Sequence, residues 1–469
     1  MGDVGGPTCR ARRGAGRYRT QESRPLTEAG DATRRVDLST GPALVIDDGV
    51  LMRARGVPYG SADRFASPTP PAPWAEPRAL IRRGPVCPQL PSRLAFVTGP
   101  VTDGLQRSED CQVLSVTAPS GADGLPVMVW FHGGAYVSGG GESPNYDPDA
   151  LVTEGRVVVV TVSYRLGIFG YCTPLGVDED NLGLRDQLLA LRWVHDNIAA
   201  FGGDPQRVTL FGQSAGGDSV YSLMLSEAAD GIYSRAIIQS APLGMRDGRD
   251  AMRTAMRAAA AESLSDTDPF AADVERLHLA QTRSLIAARR FGAISGLSYA
   301  PILGVDPLPA AHEVTARIAH VARSVDLFVG STKLDAAPFV ELNQNASRLR
   351  ALGPVGKVGA RTAAAAMTRR VFSGPAERLA RSWRADGGRA STYRLDWSPR
   401  DAPLGACHCM DLPLLLGTPG AWSSAPMLGP HPDPLDHRLA IQIRRLWTRF
   451  AHDGVPGLGA EKFRLDAVR

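Results

Sequence analysis

From Pro126 onward, short apolar runs alternate with stretches in which apolar residues recur every three or four positions. The runs 127–131, 157–163, 208–211, 236–239, 326–330 and 392–396 are rich in β-branched and other apolar residues with little alternation. That pattern suits strands covered on both faces. Leu184, Leu188, Leu191, Val194 and Ile198 draw one apolar stripe along a helix that opens after Asn181. Gly202-Gly203-Asp204-Pro205 then supplies the stop. Ala-rich helical stretches fill 251–261 and 310–323, and 336–385 is Ala- and Arg-rich with a weaker pattern. Strands and helices in this alternation predict an α/β fold with a mostly parallel central sheet flanked by helices.

The pattern is absent from residues 1–40, which are rich in Gly, Arg, Thr and Ser. They read as a disordered N-terminal extension, and 41–469 as a single catalytic domain. Neither a secretory apolar run nor a run long enough to span a bilayer stands out, so a cytoplasmic protein without a membrane span is expected. A net charge of +4 gives no reason to expect a nucleic-acid partner. Of 52 basic residues only Lys333, Lys357 and Lys462 are lysine, and the arginines lie scattered among acids rather than in blocks. Six cysteines in so long a chain form no disulfide scaffold. Cys407-His408-Cys409 could not close around one metal with three consecutive side chains, so no metal site is assigned.

Chemistry enters at Gly212-Gln213-Ser214-Ala215-Gly216, a G-x-S-x-G sequence between a buried strand and a helical stretch. Such an elbow forces the serine into a strained turn at the end of the sheet and over a helix N-terminus. Ser214 is therefore the candidate nucleophile. Upstream, His132-Gly133-Gly134-Ala135 follows the strand 127–131 directly. Glycines there let backbone N–H groups approach a substrate closely, so Gly133, Gly134 and Ala215 are the candidate oxyanion donors.

These residues carry a resemblance to the type-B carboxylesterase family, which includes bacterial p-nitrobenzyl esterases, animal carboxylesterases and cholinesterases. It extends to Arg55-Gly56-Val57-Pro58-Tyr59, Cys87-Pro88-Gln89, Ser108-Glu109-Asp110-Cys111, Ser163-Tyr164-Arg165-Leu166-Gly167 and the long segment from Asn181 to Gly217. The resemblance implies the α/β-hydrolase fold, serine-esterase chemistry on a small-molecule ester and no cofactor. Gly405-Ala406-Cys407-His408 with Asp411-Leu412 resembles the family's histidine loop, which makes His408 the base. Gly330-Ser331-Thr332-Lys333-Leu334-Asp335 matches a segment that in the family usually ends Asp-Glu-Gly, so Asp335 stands where glutamate is usual. Asp326 and Glu341 are the other acids considered for that role. The resemblance also makes Arg165 and Asp186 a buried ion pair. Cys87 and Cys111 take positions bridged in secreted relatives, and reduced thiols are expected here.

The implied function is a serine carboxylesterase working through an acyl-enzyme on Ser214. An amidase, carbamate hydrolase or lactonase could use the same residues, and a non-catalytic adhesion or scaffold protein is the rival from another class. Oligomeric state is not legible.

Overall fold

The computed structural model describes residues 32–178, 181–342, 353–431 and 434–466. The strands form one sheet. They are β1 (Thr33–Leu38), β2 (Gly41–Asp47), β3 (Leu51–Pro58), β4 (Arg78–Ala79), β5 (Val113–Pro119), β6 (Leu125–Phe131), β7 (Val158–Val162), β8 (Gly203–Gln213), β9 (Arg235–Gln239), β10 (Asp326–Thr332), β11 (Ala390–Leu395) and β12 (Lys462–Leu465). Their order is β1-β2-β3-β5-β7-β6-β8-β9-β10-β11-β12, with β4 alongside β2. From β7 to β12 every pairing is parallel, whereas β1, β2, β3 and β5 form an antiparallel wing joined to β7.

All six strands expected from the apolar runs are present, with ends shifted by a few residues. β8 starts earliest relative to its run, because Gly203 pairs with Leu125 before a bulge lets Val208 pair with Val127. The hairpin of β1 and β2 corrects the N-terminal boundary: Thr33–Leu38 is a strand inside the span assigned to the extension. Residues 1–31 of that extension lie outside the described residues.

The stripe after Asn181 is the helix Leu182–Asn197, and its apolar face is fully buried under the sheet's central strands. The Ala-rich stretches become Asp250–Ser263 and Val314–Ala322. The weakly patterned 336–385 holds helices Ala337–Glu341, Gly353–Thr368 and Gly374–Ala385. A π-turn at Arg369–Ser373 joins the last two and buries Val371 and Phe372. Two apolar cores result, one on each side of the sheet, because the side chains of the central strands alternate between them. Among the described residues no helix is long and apolar enough to cross a membrane.

Arg165 and Asp186 fix how the segment after β7 meets the helix Leu182–Asn197. The pair is bidentate, Nε to Oδ2 at 2.9 Å and Nη2 to Oδ1 at 2.7 Å, with almost no solvent access. Removing only the cation strands a buried carboxylate, which typically costs about 3–5 kcal/mol. Arg165→Met is therefore expected to lower unfolding free energy by about that amount in urea melts, whereas a surface ion-pair variant such as Arg35→Met changes it little.

Candidate active site

The backbone dictates the position of Ser214. β8 and the helix Ala215–Leu225 meet with no residue to spare, so Ser214 adopts φ 58°, ψ −123°. A non-glycine residue held there costs about 1–3 kcal/mol. Three contacts hold it. The Ser214 N–H donates to the Gln239 carbonyl at 2.8 Å, its carbonyl accepts the Asp218 N–H at 2.9 Å, and Gly216 lies against the end of β6. Any side chain at Gly216 would collide with the Phe131 carbonyl oxygen.

His408 and Asp335 meet in the interior. His408 Nδ1 lies 2.8 Å from Asp335 Oδ1, and both side chains are inaccessible to solvent. Asp335 Oδ2 accepts the Thr332 N–H at 2.9 Å, which anchors the carboxylate to the end of β10. Aspartate is one methylene shorter than the usual glutamate, and the loops compensate. Leu334 N–H donates to the Ala406 carbonyl at 2.9 Å, pairing the acid's turn directly with the histidine loop. Asp326, by contrast, sits at the far end of β10 and binds Arg389.

The histidine ring is packed between Phe339 and Phe372, each with its centroid 5.3 Å away. With its Nδ1–H given to Asp335, Nε2 is an acceptor, and the Gln213 side-chain amide lies 3.3 Å from it. Ser214 and His408 are not hydrogen-bonded to each other among the described residues.

Gly133, Gly134 and Ser214 line one cleft with an open volume of about 890 Å³. Its wall is mainly apolar, including Leu94, Val137, Met245, Leu297, Phe339 and Phe372. Gly133 packs against Ser214, and Gly134 has φ 121°, where a Cβ would strike the Ser138 carbonyl. Among the described residues neither glycine N–H donates to another group, and Ala215 is the first residue of its helix, where no helical carbonyl is available. His132 steadies this loop: its Nδ1 lies 2.8 Å from the Gly133 carbonyl and its ring stacks on Tyr164 at 4.4 Å. Burial pulls the imidazole pKa down to about 4, so it is neutral and donates to that carbonyl.

The model of the carboxylesterase family matches residues 50–352. A probable N-octanoylanthranilate hydrolase from Rhodococcus erythropolis is 39% identical over 85% of this chain and 88% of its own length. The para-nitrobenzyl esterase of Bacillus subtilis is 33% identical over 87% of each chain. A thermophilic PNB esterase superposes with a TM-score of 0.77 at 30% identity, covering 92% of this chain and 96% of its own. The chain belongs to the carboxylesterase family. It is a carboxylic ester hydrolase with the α/β-hydrolase fold.

Several residues of this carboxylesterase's site carry no spacing signal in the sequence. Gln213 is visible only as the variable position of the elbow. Gln239 bridges three elements: its carbonyl holds Ser214, its Nε2 donates to Asp411 Oδ2 at 2.7 Å, and its Oε1 accepts the Trp447 indole N–H at 3.0 Å. Asp411 lies three residues after His408 and is buried. The cysteines expected as reduced thiols, Cys87 and Cys111, are both free and buried. Among the described residues no cluster of His, Cys, Asp and Glu could hold a metal ion.

Burial raises the Asp411 pKa to about 6 against the ordinary 3.8, more than the Gln239 hydrogen bond lowers it. The folded chain therefore holds this proton more tightly than the unfolded chain does. That stabilisation is present below about pH 4 and is lost as pH rises through about 6. The shift amounts to about 3 kcal/mol at most. Asp411→Asn keeps an acceptor for Gln239 and removes the titration. Its urea midpoint is expected to change less than the wild type's between pH 4.5 and pH 7.

Proposed function

We propose that this carboxylesterase cleaves small-molecule esters by acyl transfer through Ser214, with His408 as base, Asp335 behind it and the N–H groups of Gly133, Gly134 and Ala215 as oxyanion donors. The observation that carries this reading is the buried His408–Asp335 pair, touched by Gln213, the residue next to a serine held at positive φ. Asp335 fixes the tautomer, leaving Nε2 free to take a proton. Ester binding moves the Gln213 amide off Nε2, and the Ser214 hydroxyl takes its place. Hydrogen bonds of this kind commonly tighten only once substrate is present.

Ser214 Oγ then attacks the ester carbonyl as its proton passes to His408. Negative charge builds on the carbonyl oxygen. It is stabilised by preorganised N–H groups of the loop after β6 and of the helix start at Ala215, each such donor being worth about 3–4 kcal/mol. Collapse expels the alcohol, which takes the proton from His408. Water activated by the same imidazole attacks the acyl-enzyme, releases the carboxylate and restores Ser214. The mainly apolar wall of the cleft suits the hydrocarbon part of an ester.

Hydrolysis of p-nitrophenyl butyrate tests the reading. Ser214→Ala, folded by circular dichroism, is expected to lose about 10⁴-fold or more in kcat, and Asp335→Asn about 10⁴-fold through the wrong tautomer. A folded Ser214→Ala that keeps wild-type turnover overturns it.

A further inference from the structure

The cleft wall contains one anomaly. Among the described residues that line it, Arg93 is the only one with a formal charge, and none is acidic. Several arginines in this protein face carboxylates: Arg35 meets Asp37, Arg53 meets Asp48 and Asp149, and Arg444 meets Glu154. Arg93 meets none. Its hydrogen bond runs from Nη2 to the Gly296 carbonyl at 2.9 Å, and Gly296 is itself part of the wall.

That single tether fixes the guanidinium at the cleft while leaving most of its five N–H donors unused. The side chain keeps access to solvent, yet the surrounding protein lowers its pKa by desolvation, and no neighbouring carboxylate offsets the effect. It remains cationic. Arg249 braces the same loop: its Nη2 donates to the carbonyls of Leu297 and Ser298, at 2.6 and 3.0 Å. A cation held in a mostly apolar cleft without a counter-ion among the described residues is a ready partner for an anion that arrives with the substrate. A planar carboxylate suits the guanidinium fork best.

We propose that Arg93 is a specificity-determining residue, and that the preferred substrate is an ester carrying a carboxylate away from its scissile bond. The inference rests on the reading of the Ser214 cleft as the catalytic site. A charge-assisted hydrogen bond of this kind is expected to favour the anionic ester by about 10- to 100-fold in kcat/KM.

Two matched pairs test it on both sides of the ester: mono-p-nitrophenyl adipate against p-nitrophenyl hexanoate, and 4-carboxyphenyl butyrate against its methyl ester, followed at the butyrate bond. In at least one pair the wild type is expected to prefer the anionic member by tenfold or more, with the preference shrinking in 0.5 M salt. The anionic-to-neutral ratio is expected to fall at least tenfold in Arg93→Gln and further in Arg93→Glu, with Arg93→Lys in between. The ratio is internal to each variant, so a partly folded preparation does not distort it. A wild type that disfavours both anionic esters overturns the proposal, as does a ratio unchanged in both Arg93→Gln and Arg93→Glu. Ser214→Ala run alongside separates the two claims: turnover of the neutral esters that survives this substitution sinks the catalytic assignment, whatever the Arg93 ratios show.

Discussion

A single strained residue organises the rest of this site. Ser214 at positive φ is affordable only because the sheet and the following helix over-determine it. The Gln239 carbonyl takes its N–H, the first turn of the helix takes its carbonyl, and a glycine lets that turn press against the end of β6. The same close packing sets Gly133 beside the Ser214 side chain. The candidate nucleophile and candidate oxyanion donors are thus placed by backbone contacts rather than by flexible side chains. Preorganisation of this sort is what makes electrostatic stabilisation effective, since no reorganisation is needed as charge develops.

The acid and histidine come from chain segments more than seventy residues apart, and no local pattern could bring them together. Their registration depends on Leu334 pairing with Ala406, on Thr332 anchoring the Asp335 carboxylate, and on Phe339 and Phe372 flanking the ring. The π-turn at Arg369–Ser373 contributes here, because it carries Phe372 into the interior. Behind the pair, Gln239 links the backbone of Ser214, through its carbonyl, to Asp411 and Trp447, through its side chain, so three elements are tied through one residue.

The parallel half of the sheet was legible because strands buried on both faces are mostly apolar, as β6 and β7 are throughout and β8 and β10 are in their central residues. The antiparallel wing was not. β1 and β2 are only partly buried, and β3 carries Arg53, Arg55 and Gly56, so their apolar signal is diluted. The helices within 336–385 were obscured because alanine fits buried and exposed positions alike. At the site, the elbow and the glycine loop were legible from local sequence, since backbone strain demands particular residues there. His408 and Asp335 needed the family resemblance. Gln239 and its contact with Asp411 needed coordinates, because a hydrogen bond between residues 172 positions apart leaves no spacing to read.

The central claim is that an acyl group passes through Ser214. The most direct measurement is intact-mass and peptide mass spectrometry after reaction with a p-nitrophenyl alkylphosphonate, which phosphonylates an activated serine and releases p-nitrophenol. The account predicts one adduct per chain, on the peptide containing Ser214, with concurrent loss of esterase activity and protection by a slowly hydrolysed ester. An adduct on another residue that abolishes activity, or full inactivation with Ser214 unmodified, would contradict it.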